Sequence, residues 1–191
     1  MTEGTGTQMT IEAAQRELRR EFYGGFFGQL VSGMLWLVSA ALATWGTPRR
    51  AMIALVVGGF FIFPLTTLLL RMSGRRPSLS AANPLGQLGW QVAFVLPLSL
   101  PLVGAVSLYK TNWFYPAFMV ALGAHYLPFA FLYGMRMFIA LSAILVGGGV
   151  AIALYAGWNF PLGAWLTAAV LLVFAFLGAS FVRREACTSN G

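Results

Sequence analysis

The chain alternates long apolar runs with short polar breaks, and the runs have the length that a bilayer requires. A helix rises 1.5 Å per residue, so crossing a hydrocarbon core takes about 20 apolar residues. Six segments reach that length: 24–45, 51–70, 84–108, 113–134, 137–155 and 161–182. Gly46, Pro48, Arg49 and Arg50 stop the first, and Arg71 opens a Gly-, Pro- and Ser-bearing loop after the second. A four-residue turn, 109–112, joins the third and fourth, and Arg183 and Arg184 close the sixth. Between the fourth and fifth only Gly134 and Arg136 interrupt the apolar run, and a re-entrant segment there would lower the count. The pattern predicts an all-α, polytopic transmembrane helix bundle of about six spans.

Ahead of the first span the period changes. Ile11, Ala14, Leu18 and Phe22 recur at three- and four-residue spacing, while Glu12, Arg16, Arg19 and Arg20 face elsewhere. Thr10 is placed to cap this helix, with Glu12 in its first turn. A short amphipathic helix over 10–23 is expected, lying at the membrane surface with its arginines toward anionic headgroups. The sharper alternative is a gate or docking helix. The organisation is therefore a segment 1–23, a membrane domain 24–182 and a tail 183–191.

The two halves echo each other. Gly33-Met34-Leu35-Trp36-Leu37 in span one matches Gly123-Ala124-His125-Tyr126-Leu127 in span four. Arg50-Ala51-Met52-Ile53-Ala54-Leu55 before Gly58-Gly59 matches Arg136-Met137-Phe138-Ile139-Ala140-Leu141 before Gly147-Gly148-Gly149. Asn83-Pro84-Leu85-Gly86 matches Asn159-Phe160-Pro161-Leu162-Gly163. Three spans per half would make this an inverted three-plus-three repeat, an architecture of secondary transporters. Chance similarity in a small apolar alphabet is the alternative.

Within the spans, Gly24, Gly28 and Ser32 form a small-residue series that would let another helix approach closely, within the chain or in a homodimer. Pro64, Pro97, Pro101 and Pro128 each remove a backbone donor and crowd the carbonyl four residues back. In lipid those carbonyls need partners from the protein.

Composition sharpens this picture. The chain is 59% hydrophobic and 9% charged, with a mean hydropathy of +0.77. That is too little charge to cover a surface in water, so the lipid bilayer is the expected environment. The polar start, 1–8, shows no apolar run ending in a cleavage site, so no cleaved signal peptide is expected. The net charge of +7 does not imply nucleic acid, because the basic residues sit in clusters between apolar runs. With the N-terminus in the cytoplasm, Arg16, Arg19, Arg20, Arg71, Arg75, Arg76, Arg136, Arg183 and Arg184 lie inside and Arg49, Arg50 and Lys110 outside. Trp45, Trp113 and Trp158 then mark the outer interface. Both cues put the two termini in the cytoplasm. Arginine-dominated basic residues with abundant Ala and Gly suit a GC-rich bacterial genome, hence a bacterial cytoplasmic (inner) membrane.

The candidate chemistry is sparse. There is no Asp, and the five Glu all lie outside the spans, which excludes aspartyl proteolysis and carboxylate coupling within the membrane. One His and one Cys, Cys187, provide no haem or metal set and no internal disulfide, so no cofactor is expected. His125 remains, about 13 Å from the inner end of span four at 1.5 Å per residue. Gln91 and Gln87, one turn apart on span three, and Gln29 on span one enter from the same side. The depths predict a polar intramembrane cluster of Gln29, Gln87, Gln91 and His125, with Tyr126 and Tyr133 in reach; hydrogen-bonded helix tethering is the plain alternative.

The stretch Asn112-Trp113-Phe114-Tyr115-Pro116, leading to Gly123-Ala124-His125-Tyr126-Leu127-Pro128 and Leu132-Tyr133-Gly134-Met135, resembles an uncharacterised family of small bacterial membrane proteins. So does Asn83-Pro84-Leu85-Gly86 after a basic loop. The resemblance covers about residues 10 to 182 and implies a multi-span membrane protein with no assigned activity. Two function classes stay open: a small permease for a neutral or weakly charged solute, and a non-transporting scaffold, accessory or stress-response protein. A cavity reaching Gln91 and His125 would favour the first. A solid bundle with an exposed packing face would favour the second. An enzyme is not expected.

Overall fold

The computed structural model describes residues 9–75 and 78–188; the polar start 1–8, Arg76, Pro77 and the last three residues lie outside the described residues. Among those described, every regular element is a helix. The order is α1 (Ile11–Phe22), α2 (Phe26–Trp45), α3 (Pro48–Gly59), α4 (Ile62–Met72), α5 (Leu85–Tyr109), α6 (Phe114–Tyr126), α7 (Phe129–Leu132), α8 (Met137–Tyr155) and α9 (Leu162–Thr188). Five stretches are long and apolar enough to cross a membrane, and the bent pair α3–α4 makes a sixth. The chain is an all-α bundle of five to six membrane-compatible spans.

Local chemistry sets the boundaries. The Thr10 hydroxyl accepts from the Ala13 amide at 3.3 Å and caps α1. Tyr23, Gly24 and Gly25 then all take positive φ, which ends α1 and redirects the chain into α2. Pro64 sits in the first turn of α4, where its missing N–H has no intrahelical acceptor, and its ring bars the Phe60 carbonyl from continuing α3. The result is a 57° bend within span two. Pro128 likewise separates α6 from α7. Pro97 and Pro101 behave differently, because α5 runs unbroken through both.

The boundary between spans four and five is built by Gly134. At φ +62° it ends α7, and the Met135 amide reaches back to the Ala130 carbonyl at 3.1 Å, as in a Schellman closure. A Cβ at Gly134 would also sit 2.6 Å from the Gln15 Oε1, a flexible side-chain end that can shift, so it is the positive φ that favours glycine here.

The spans form a ring in chain order: α3–α4 packs on α2, α2 on α9, α9 on α8, α8 on α6, and α6 on α5. Phe63 of α4 and Trp90 of α5 stack at 6.3 Å and close it. Trp36 of α2 crosses the middle to Tyr115 and Phe118 of α6, at 5.8 and 5.2 Å between ring centres. A ring in chain order gives the halves equivalent neighbours whether or not they share a repeat. The glycines separate the two cases. Gly58 meets Leu35 and Gly149 meets Pro116 and Met119, so spans two and five do face their matched partners. Gly33, however, packs on Leu171 and Leu172 of α9, while its counterpart Gly123 packs on Ser142, Leu145 and Val146 of α8 rather than on α5.

The small-residue series also divides. Gly24 lies in the turn before α2, against Val182; Gly28 looks toward Thr66 of α4; Ser32 is buried. The tight α2–α9 contact falls instead on Gly33, one residue off the series.

Candidate functional site

Helix α1 collects most of the polar chemistry of the described residues. Its apolar face buries Ala14 and Leu18, and its polar face reaches the arginine-rich ends of the bundle. The Gln15 amide donates to the Phe131 carbonyl at 2.6 Å. Glu17 accepts from the Ser80 amide at 2.8 Å and from Asn83 Nδ2 at 2.6 Å. Asn83 also donates to the Ala14 carbonyl at 3.2 Å and accepts from the Leu85 amide at 2.9 Å, so one buried side chain bolts α1 to the start of α5. Glu21 accepts from the Ser78 amide. Arg75 donates to the Arg20 carbonyl at 2.8 Å and lies 4.7 Å over the Tyr23 ring.

Arg19 is the centre of this latch. Its Nε and Nη2 donate to the two oxygens of Glu185 at 2.8 and 2.6 Å, and its Nη1 donates to the Tyr133 carbonyl at 2.6 Å. A planar guanidinium meets a carboxylate in this two-pronged way, and lysine cannot replace it. Arg16 and Arg20 stay exposed, as a surface helix would keep them, but Arg19 turns into the protein. The residues of this latch were not legible as a site, because Arg19 and Glu185 stand 166 positions apart. One signal was available: with only five acids in the chain, each one near a basic cluster is a strong pairing candidate.

Arg19→Ala is expected to free α1 while leaving the spans folded. Amide exchange of 11–22 in nanodiscs should accelerate at least about tenfold, with α2 and α9 unchanged; unchanged exchange in α1 would sink the latch. The pair also carries a pH dependence. Glu185, beyond the apolar run that ends at Val182, is held below its ordinary value of 4.5 chiefly by the Arg19 hydrogen bond. Its contribution is present above that ordinary value and is lost as pH falls through the lowered one. The protection of the α1 amides, taken relative to their intrinsic exchange rates at each pH, should therefore hold at neutral pH and fall only in acid.

The predicted intramembrane cluster is only partly brought together. Gln29 points into the bundle, 2% exposed, with neither end of its amide bonded. Ser32, one turn on, meets the Tyr126 hydroxyl of α6. The Tyr133 ring lies against Gly25. His125 leans the other way, toward the Val92 backbone of α5, with its ring edge-on to Tyr126 and Phe129 at 5.5 and 5.2 Å and its Nδ1 unbonded. Thr66 of α4 adds another buried hydroxyl with no bonded partner, which the depth argument did not single out. Gln87 and Gln91 do not join them. Both are exposed on α5, on the face opposite Leu85, Val92 and Val103. Among the described residues no group of three or more His, Cys, Asp or Glu is placed to hold a metal.

The chain matches the model of a family of unknown function (DUF7010) over residues 11–185. The chain belongs to that family. The match begins at the first residue of α1 and ends at Glu185, so the DUF7010 unit includes both halves of the latch. It bears out the resemblance to an uncharacterised family read from the sequence. No curated protein and no solved structure matches the chain.

Proposed function

We propose that this chain is a non-transporting protein of a bacterial cytoplasmic membrane, a scaffold or accessory subunit with both termini inside and no catalytic role. The filled middle of the bundle carries this reading. Trp36, Tyr115, Phe118, Met119, Leu122 and Leu171 occupy it, each at most 5% exposed. Ser39 donates to the Ala51 carbonyl at 2.9 Å and shares a 2.7 Å hydrogen bond with the Tyr115 hydroxyl, tying α2, α3 and α6. Two surface hollows are shallow: an apolar groove among α5, α6 and α8 lined by Val106, Pro116 and Val120, and one at the foot of α5 by Asn83 and Gln87. Neither is lined by Gln29 or His125.

The second reading, a permease for a small neutral solute, is favoured by Gln29. A buried amide with no partner costs about 1–3 kcal/mol, and a passing solute or water would satisfy it. Gln29→Leu separates the two. In a scaffold it should stabilise the bundle by about 1 kcal/mol in detergent unfolding, because the unpaired amide is removed. Proteoliposomes challenged with glycerol, urea or glycine should then swell no faster than protein-free vesicles. A protein-dependent flux that Gln29→Leu abolishes would overturn the scaffold reading.

A further inference from the structure

The outward face of α5 is sparsely covered by protein and also carries polar groups. Its apolar window is 11% buried, against 33–44% in the other unbroken spans. Residues 87, 91, 94, 98, 101, 105 and 108 follow an alternating four–three spacing, and all are exposed. They read Gln87, Gln91, Phe94, Leu98, Pro101, Ala105 and Leu108. A four–three stripe is the seam of a left-handed pair of parallel helices. Leu98 and Leu108, at 77% and 90% exposed, are typical of a lipid face, but two amides are not. Gln91 lies about 10 Å into the helix from its start at 1.5 Å per residue, where hydrocarbon tails would offer its amide no hydrogen bond. Pro97 and Pro101 also leave the carbonyls of Ala93 and Pro97 without their usual donors.

We propose that this face binds α5 of a second copy of the chain, in a parallel two-fold dimer. The reason for a second copy is the chemistry of the amide. It donates and accepts at once, so it is complementary to itself. A two-fold along the membrane normal puts each residue of the stripe opposite its own copy at the same depth. Gln87 then meets Gln87 and Gln91 meets Gln91, which fixes register as a buried polar residue does in a coiled coil. A different partner would have to offer polar groups at both depths.

The test uses full-length protein in its native membranes, on a Cys187→Ser background. Leu98→Cys, oxidised with copper phenanthroline, should give a band of twice the chain mass; Val92→Cys, on the α6-facing side, should not. Adding Gln87→Leu and Gln91→Leu should raise the dimer dissociation constant in liposomes roughly five- to tenfold, the size expected of two interhelical amide pairs. The proposal is overturned if Leu98→Cys stays monomeric, if it crosslinks to a chain of another mass, or if both positions crosslink equally. Circular dichroism and unfolding of the double Gln variant confirm that a lost dimer is not a lost fold. A dimer together with solute flux would remove the scaffold reading and leave this one standing.

Discussion

Gly149→Leu is expected to lower the stability of the bundle by about 3 kcal/mol, the upper part of the range for overpacking a filled interior. A Cβ at this position would lie 2.7 Å from the Pro116 carbonyl oxygen and 3.1 Å from Met119 Cβ and Val120 Cγ2. Backbone oxygen cannot rotate aside as a side chain can, so α8 must retreat from α6. The opposite side of the same contact is just as tight, because a Cβ at Gly123 would lie 2.7 Å from Val146 and 3.0 Å from the Ser142 carbonyl. Two glycines thus let the helices meet backbone to backbone, where dispersion replaces the missing hydrophobic drive. Gly147 is the control, since a Cβ there meets nothing within 4 Å. Unfolding by sodium dodecyl sulfate in mixed micelles should show a large loss for Gly149→Leu and none for Gly147→Ala. Equal effects would mean that the α6–α8 approach is not tight.

Trp36→Ala should cost about 3 kcal/mol, the low end for such a truncation in a soluble core. The low end applies because separated helices in lipid keep their apolar surface solvated by acyl chains, so the loss is mostly packing. Trp36 is 2% exposed and touches Tyr115 and Phe118, the pair that joins α2 to α6. The same micelle titration reads it. A midpoint within error of wild type would show that the middle of the bundle is not held by this ring.

These two residues also show what the sequence could and could not reveal. Span lengths, the Thr10 cap and the stop at Gly134 were legible because they depend on neighbours along the chain. The direction in which each span faces was not. In water, a helix declares its buried side by an apolar stripe; in lipid, both sides are apolar and the stripe vanishes. Counting depth placed Gln87, Gln91 and His125 at compatible levels, yet depth carries no azimuth, and the two glutamines face outward. Glycine spacing was the one azimuthal signal, and it selected Gly28 where Gly33 makes the contact. The prolines misled in the same way. Pro64 and Pro128 break their helices while Pro97 and Pro101 do not, since whether a freed carbonyl is tolerated depends on surroundings the local sequence does not contain.

Helix α1 has a further consequence for biosynthesis. It leaves the ribosome before every one of its anchors, Asn83, Phe131, Tyr133 and finally Glu185. At about 5–20 residues per second, the 166 residues between Arg19 and Glu185 take on the order of ten seconds or more to synthesise. Its anchors arrive one after another through that interval, Asn83 first and Glu185 last, so the helix stays incompletely docked while the later spans are made. Helix α1 is therefore fully seated only well after it has been made, and its seating reports that the chain has been synthesised as far as Glu185.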